Sequence, residues 1–427
     1  MSTPDGRRLI CCFDGTGNEF GNVRNINSSI VELFGILTKS QPEKQLVYYQ
    51  AGIGTYTSSL ILTPFAAKVA SLADSAVAWY LDEHVKEGYT FLMQNYRPGD
   101  KICLFGFSRG AYIARALAGM LHKVGLLPPH NDEQMQFAYK LFKRTDKSGW
   151  KLSEQFKKIF TAHDVRIEYV GVWDTVCSVG IIPRQLPFTC SNYAIKTFRQ
   201  ALSLDERRSK FLPNTWNTPS AREAVLGYQP KPKPREEGVS KDEWEYEPPE
   251  EHMTDVLEVW FTGCHADVGG GSVADPVQLS RISLAWMIKQ CHLTGSGIHF
   301  EMDAIRELGI DPETFELRSS PLPNSLGSLA DPGSKDHYAL APIFDQLVAA
   351  PFWWILEVIP LIHSYYHEGR RYRYISRNFG RGRYIYPPTD AKIKIHKSVR
   401  HRMDDVVKYL PRVQNFDEIE SVCEWVD

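Results

Sequence analysis

No CxxC pair occurs among the eight cysteines, so spacing supports neither a zinc ribbon nor a disulfide framework. Cys11, Cys12, Cys103 and Cys264 lie in or beside apolar, strand-like runs, as reduced core residues do. Neither sign of charge is in excess: 49 Lys and Arg stand against 51 Asp and Glu, a net charge of -2. With no long basic tract, the chain offers no field suited to a phosphate backbone, and nucleic acid is not expected as a partner. No internal repeat is visible. A signal-peptide core is also missing, because Met1 to Arg8 is polar and charged and the apolar run Leu9 to Phe13 is too short. A cytoplasmic protein is therefore expected.

What the sequence does contain is a series of short runs, apolar on both faces, separated by helical patterns. The strand candidates are Arg8 to Phe13, Gln45 to Gln50, Lys101 to Phe105, Val165 to Trp173 and Val256 to Thr262. Asn27-Ser28-Ser29 can cap a helix through about Leu37, Pro64 to Val85 is amphipathic, and Leu279 to Cys291 follows the last strand. This alternation predicts an α/β fold, a doubly wound and mostly parallel sheet, with helical insertions forming a cap or lid. Residues 1–295 are expected as the core, with an insertion at about 185–255, and 296–427 as cap and peripheral segments. Gln229 to Glu251, rich in Pro, Lys and Glu, reads as a solvated loop.

The most informative local feature is Gly106-Phe107-Ser108-Arg109-Gly110, set between the run Lys101 to Phe105 and a helical pattern from Ala111 to Val124. A strand–turn–helix context makes this pentapeptide a nucleophile elbow, with Ser108 exposed at the carboxyl edge of the sheet. The glycines leave room where strand and helix backbones converge. Ala111, Ala114 and Ala118 give the helix a small-residue face for close packing.

A serine hydroxyl becomes nucleophilic when an imidazole accepts its proton, and a carboxylate must hold that imidazole in one tautomer. Asp174 ends the run Val165 to Trp173 and is the expected acid; its plainer reading is a helix N-cap. His265 leaves the strand Val259 to Cys264 and enters the turn Ala266 to Gly271, which makes it the expected base. His337, His363, His367 and His396 compete from later in the chain, but none follows so clear a strand. A metal site on His265 and Asp267 lacks a second ligand at suitable spacing.

The tetrahedral intermediate needs N–H donors at its oxygen. Arg109 supplies one as the residue after the nucleophile. Gly15 or Thr16, in the loop Phe13-Asp14-Gly15-Thr16-Gly17-Asn18, supplies the second; losing one such donor typically costs about 3 kcal/mol. Asp14 in the same loop is either a substrate contact or the cap of the glycine-rich bend. Farther on, Ala341 to Tyr366 is dense in aromatic and aliphatic residues. Pro351 and Pro360 break it and Asp345 and Glu357 charge it, so it is not a membrane span. It reads as a buried helical cap, or as an apolar lid in which Trp353 and Trp354 meet substrate and which allows peripheral membrane contact. Tyr372 to Tyr386, basic and aromatic, is expected as a surface element.

With these residues assembled, the chain resembles an α/β-hydrolase family of fungi and bacteria whose members include type VI secretion phospholipase effectors. The resemblance lies in Phe13 to Asn18, Gly106 to Ala111, Gly171-Val172-Trp173-Asp174-Thr175-Val176 and His265 to Gly271. The stretch Trp353 to Glu357 is similar to the C-terminal part of a fungal member. The resemblance implies a triad of Ser108, Asp174 and His265.

The function expected is a serine ester hydrolase acting on a lipid-like or acyl ester through an acyl-enzyme, with no cofactor and no metal. Two other readings stay open. Asp14 to Asn18 loosely resembles the first phosphate loop of actin-like and sugar-kinase ATPases, which would make the protein a nucleotide binder. A catalytically silent scaffold that docks through Trp353-Trp354 is the other.

Overall fold

Strands that are apolar on both sides need cover on both sides, and most of the six that form the sheet's centre are of this kind: β1 (Arg8–Phe13), β2 (Gln45–Gln50), β3 (Lys101–Phe107), β4 (Ile167–Trp173), the more polar β5 (Ile195–Ser203) and β6 (Asp255–Phe261). A separate antiparallel hairpin is formed by β7 (Leu361–His367) and β8 (Arg370–Ser376). Two short strands, β9 (Lys394–His396) and β10 (Glu424–Val426), extend the main sheet. The eight strands run in the order β2-β1-β3-β4-β5-β6-β9-β10 with every pairing parallel. The computed structural model describes residues 6–15, 27–52, 64–161, 165–176, 186–217, 253–271, 278–318, 335–367, 370–387 and 392–427. The loop read at Gln229 to Glu251 lies outside the described residues.

Helices cover both faces. The helices include α1 (Ser29–Ile36), α2 (Pro64–Asn95), α3 (Arg109–Val124), α4 (Asp132–Lys143), α5 (Lys147–Phe160), α6 (His265–Gly269), α7 (Ser280–Leu293), α8 (Met302–Glu307), α9 (Trp354–Val358) and α10 (Lys397–Asp405). On one face Leu92, Leu117, Phe142 and Phe156 pack on Leu9, Leu104 and Val170; on the other Leu33, Ile36, Leu284 and Trp286 pack on Ile10, Phe105 and Tyr169. Full burial of each such side chain contributes about 1.5–3 kcal/mol relative to exposure. A third cluster, including Leu202, Trp260, Ile395 and Phe416, seats the C-terminal segments on the sheet beside β5 and β6. Among the described residues, no helix is long and apolar enough to cross a membrane.

The doubly wound sheet expected from the alternation is present, and its strand order dictates where a site can form. The chain steps outward from β1 to β2 and then returns to the other side of β1 with β3. The crevice at the carboxyl ends of β1 and β3 is thus a topological switch point, where open α/β sheets bind ligands. Phe13 pairs with Gly106 there, so the loop after β1 and the turn after β3 lie side by side.

Three local expectations differ from the structure. The helix from Pro64 continues ten residues past Val85, to Asn95. A strand, β5, occupies part of the expected insertion; its sequence hides it because Lys196, Arg199 and Gln200 interrupt the apolar pattern. Arg199 is nonetheless buried, donating to Asp255 at 2.6 Å and Gln290 at 2.9 Å, and Gln200 donates to Glu258 at 2.7 Å. Finally, Ala341 to Tyr366 is not a buried cap. Between Pro351 and Pro360 there is space only for a 3₁₀ turn and the five-residue α9, too short to bury every apolar side chain, and Phe352 and Val358 are 62% and 48% exposed.

Candidate active site

The turn after β3 is strained in the manner a nucleophile elbow requires. Ser108 has φ 59° and ψ −119°, a conformation that L residues rarely adopt, and it is held by N–H donation to the Trp173 carbonyl at 3.0 Å. The two flanking glycines are needed sterically. A Cβ on Gly106 would stand 2.6 Å from the Ala111 Cα, and one on Gly110 would stand 2.6 Å from the Phe13 carbonyl carbon. Ser108 therefore projects from the end of β3 at the start of α3, beside the end of β1.

His265 opens α6 directly after β6, and its place is set by a capping box at that turn. The Cys264 N–H donates to the Asp267 carboxylate at 2.8 Å, and the same carboxylate accepts the Phe344 N–H at 3.0 Å. Glu206 accepts the His265 N–H at 3.2 Å. The imidazole lies between two rings, Phe107 at 4.8 Å and Phe211 at 4.9 Å between centroids.

Asp174, at the end of β4, is fully buried, and its φ of 39° marks a second strained backbone. Its Oδ2 stands 2.5 Å from His265 Nδ1, and His265 Nε2 stands 2.8 Å from Ser108 Oγ. Since a carboxylate only accepts, Nδ1 carries the proton and Nε2 is left to accept from the serine hydroxyl. Burial drives the His265 pKa below the ordinary histidine value, and Arg208 pushes the same way, against the opposing pull of Asp174 and Glu206. Neutral His265 is thus available as a base at neutral pH. Burial alone would raise the Asp174 pKa, but Arg383 and His265 outweigh it and hold the carboxyl well below its usual range. The arrangement can take a proton from Ser108 and hold it on an imidazole stabilised by a fixed anion.

The sequence profile of the T6SS phospholipase effector Tle1-like catalytic domain matches residues 7–290. The chain belongs to this Tle1-like family. A yeast protein, Uncharacterized protein YEL023C of Saccharomyces cerevisiae, is 37% identical over 220 residues, covering 48% of this chain and 32% of the yeast protein. The chain thus spans about a third of the length of that curated relative. Among solved structures, an uncharacterized protein from Pseudomonas aeruginosa aligns with TM-score 0.36 and 17% identity over 69% of this chain and 47% of its own. A Tle1 effector bound to the VgrG spike of the type VI secretion system aligns with TM-score 0.32 and 18% identity over 64% of this chain and 53% of its own.

In this Tle1-like chain two of the competing histidines, His363 and His396, stand elsewhere. His363 stacks on Tyr374 at 5.4 Å. His396 stacks on Phe261 at 4.8 Å and is pushed down to about 4, chiefly by burial. The side chains of His337 and His367 lie outside the described residues. Thr16 does too, while Gly15 is described and donates its N–H to Asp14 Oδ1 at 2.6 Å. Asp14 also accepts from the Tyr49 hydroxyl at 2.9 Å. Arg109 is the first residue of α3. Trp353 packs edge-on against Phe211 at 5.6 Å, whereas Trp354 donates to the Leu347 carbonyl at 3.0 Å and packs against the Gly380 turn.

Sequence reasoning missed several residues here. Arg208 lies over the Phe211 ring at 3.5 Å and the Trp353 ring at 5.0 Å, paired with Glu206 at 2.8 Å. The run Asp205-Glu206-Arg207-Arg208 directly after β5 would have marked this spot had β5 been recognised. Arg383, inside the segment expected as a surface element, is instead buried against Asp174, with donor distances of 2.6 and 2.8 Å. No short-range signal in the sequence points to it.

Proposed function

We propose that the chain is a serine hydrolase that cleaves the acyl ester of a phospholipid or similar lipid through an acyl-enzyme on Ser108. The observation that carries this reading is the continuous hydrogen-bond path from Ser108 through His265 to Asp174 on a strained elbow; membership of a phospholipase effector family supports the lipid substrate. His265 Nε2 takes the hydroxyl proton as Ser108 Oγ bonds to the ester carbonyl carbon, giving a tetrahedral oxyanion. As the intermediate collapses, the ester C–O bond breaks and His265 returns the proton to the leaving alcohol. Water then repeats the sequence on the acyl-enzyme, with His265 again as base, and the free acid leaves.

The N–H of Arg109 is one oxyanion donor in this reading, and Gly15 or Thr16 the other. Gly15 can serve only by exchanging its bond to Asp14. The aromatic series from Phe352 through Trp353 and Phe211 to His265 supports an acyl-binding wall. Successive ring centroids along it are 5.3, 5.6 and 4.9 Å apart. Phe352 at its outer end is exposed, as are Ile355 and Ile375, which suits contact with aggregated lipid.

The test is fatty-acid release by purified protein from phosphatidylcholine vesicles and from p-nitrophenyl esters of increasing chain length. Release from phospholipid and from long-chain esters is expected, and Trp353→Ala should weaken the long-chain preference while sparing butyrate ester. Failure to hydrolyse any of these esters would overturn the reading. An unchanged chain-length preference in folded Trp353→Ala would remove that residue from the acyl wall.

A further inference from the structure

We propose that Arg383 is the positioning residue that completes the triad, so that the catalytic unit extends into the C-terminal segment, past the matched residues 7–290. This rests on the serine-hydrolase reading above. Asp174 is fully buried, and a buried carboxylate without compensating donors is unstable as an anion. Ser203 on β5 supplies its N–H at 3.0 Å and its hydroxyl at 3.3 Å. The Arg383 guanidinium supplies a two-pronged fork, Nη1 to Oδ1 at 2.6 Å and Nη2 to Oδ2 at 2.8 Å. Such a pair fixes the plane of the carboxylate as well as its charge. Because Oδ2 is the oxygen that faces His265 Nδ1, fixing that plane fixes the imidazole.

Arg383 also governs the wall beside the base. Its Nε donates to the Phe211 carbonyl at 3.1 Å, and Phe211 is the ring edge-on to His265. The segment that carries Arg383 is tied down on both sides. Asn378 donates to Glu357 at 2.6 Å and to the Arg207 carbonyl at 2.7 Å, and the Gln414 N–H donates to the Arg383 carbonyl at 2.8 Å. Asn415 exchanges bonds with Ile385 at 3.1 and 2.8 Å. Docking of residues 378–385 thereby delivers a cation to the acid of the triad, on both of its oxygens.

The charged groups around His265 are Asp174 on β4, Glu206 and Arg208 on the segment after β5, and Arg383 behind Asp174. Arg383 neutralises much of the Asp174 charge. Removing it leaves an unbalanced anion against the imidazole, which stabilises the protonated form. The acid limb of kcat/KM, which reports protonation of His265, must then move to higher pH. A residue that merely holds the fold would lower the amount of active protein and leave that limb in place.

The experiment compares wild type, Arg383→Met and Arg383→Lys on p-nitrophenyl butyrate across pH, with active sites counted by stoichiometric fluorophosphonate labelling. Wild type should show an acid limb below pH 6.5, the ordinary histidine value. Arg383→Met should lower kcat per active site by about 100-fold, the scale of a misplaced catalytic group, and move the limb upward. Arg383→Lys keeps the charge and loses the fork, so its limb should stay near that of wild type while kcat still falls, by about 10-fold. It also covers the case in which the Met variant does not fold. Wild-type kcat per active site and an unmoved limb in the folded variants would overturn the proposal. No wild-type turnover at all would sink the hydrolase reading and this inference with it, whereas turnover indifferent to residue 383 sinks this inference alone.

Discussion

Ser108→Ala is expected to lower kcat for ester hydrolysis by on the order of 10⁶-fold, the scale seen when a triad nucleophile is deleted. The loss is so large because no other group takes over the attack. Ser108 Oγ lies within hydrogen-bonding distance of His265 Nε2, at 2.8 Å, and its placement depends on the strained backbone of this turn. Alanine adds no volume there, so the folded state should persist with the two flanking glycine contacts intact. Steady-state kinetics on a p-nitrophenyl ester, with circular dichroism to confirm folding, reads the result. A folded variant that keeps a tenth or more of the wild-type rate would contradict Ser108 as nucleophile.

Asp174→Asn should cost two things at once. Catalysis should fall by about 10⁴-fold, because an amide can donate to Nδ1 and so favours the wrong imidazole tautomer. Stability should fall as well. Arg383 is buried with its fork on Asp174 at 2.6 and 2.8 Å, and neutralising the acid leaves that cation without its counter-charge. Breaking one partner of a buried pair costs about 3–5 kcal/mol. Chemical denaturation alongside kcat measures both effects. An Asn variant as stable as wild type would mean that the Arg383 pair contributes little to the fold, and one with a rate loss below tenfold would mean that Asp174 does not orient the base.

The parts of this site legible in the sequence were those whose physics is local. Gly106 and Gly110 flank Ser108 because backbones meet there, and that requirement can be read from five residues set between an apolar run and a helical pattern. Asp174 and His265 each end a run of strand-forming residues, so their position at the carboxyl edge follows from the run itself. The illegible parts depend on pairing across the chain. β5 carries Arg199 and Gln200 in a buried strand, acceptable only because Asp255, Gln290 and Glu258 are there to bond them. β9 and β10 are three residues each, below the length at which periodicity means anything. Arg383 lies 209 positions from Asp174, in a stretch whose charge and aromatic content suggest a surface. Its burial is explained by the carboxylate it meets, which no pattern near residue 383 announces.

Trp353 and Trp354 show the same limit at smaller scale. Adjacent in sequence, they part in the structure, one toward Phe211, the ring beside His265, the other toward Leu347 and the Gly380 turn. A short turn followed by a short helix separates their directions, and composition alone treats them as one patch.

The most direct measurement is peptide-level mass spectrometry of the native protein after reaction with a fluorophosphonate. One adduct per chain, located on the Ser108 hydroxyl and blocked when His265 is replaced by alanine, is the predicted result. An adduct on another residue, or ester hydrolysis that continues with Ser108 unmodified after full reaction, would contradict the account.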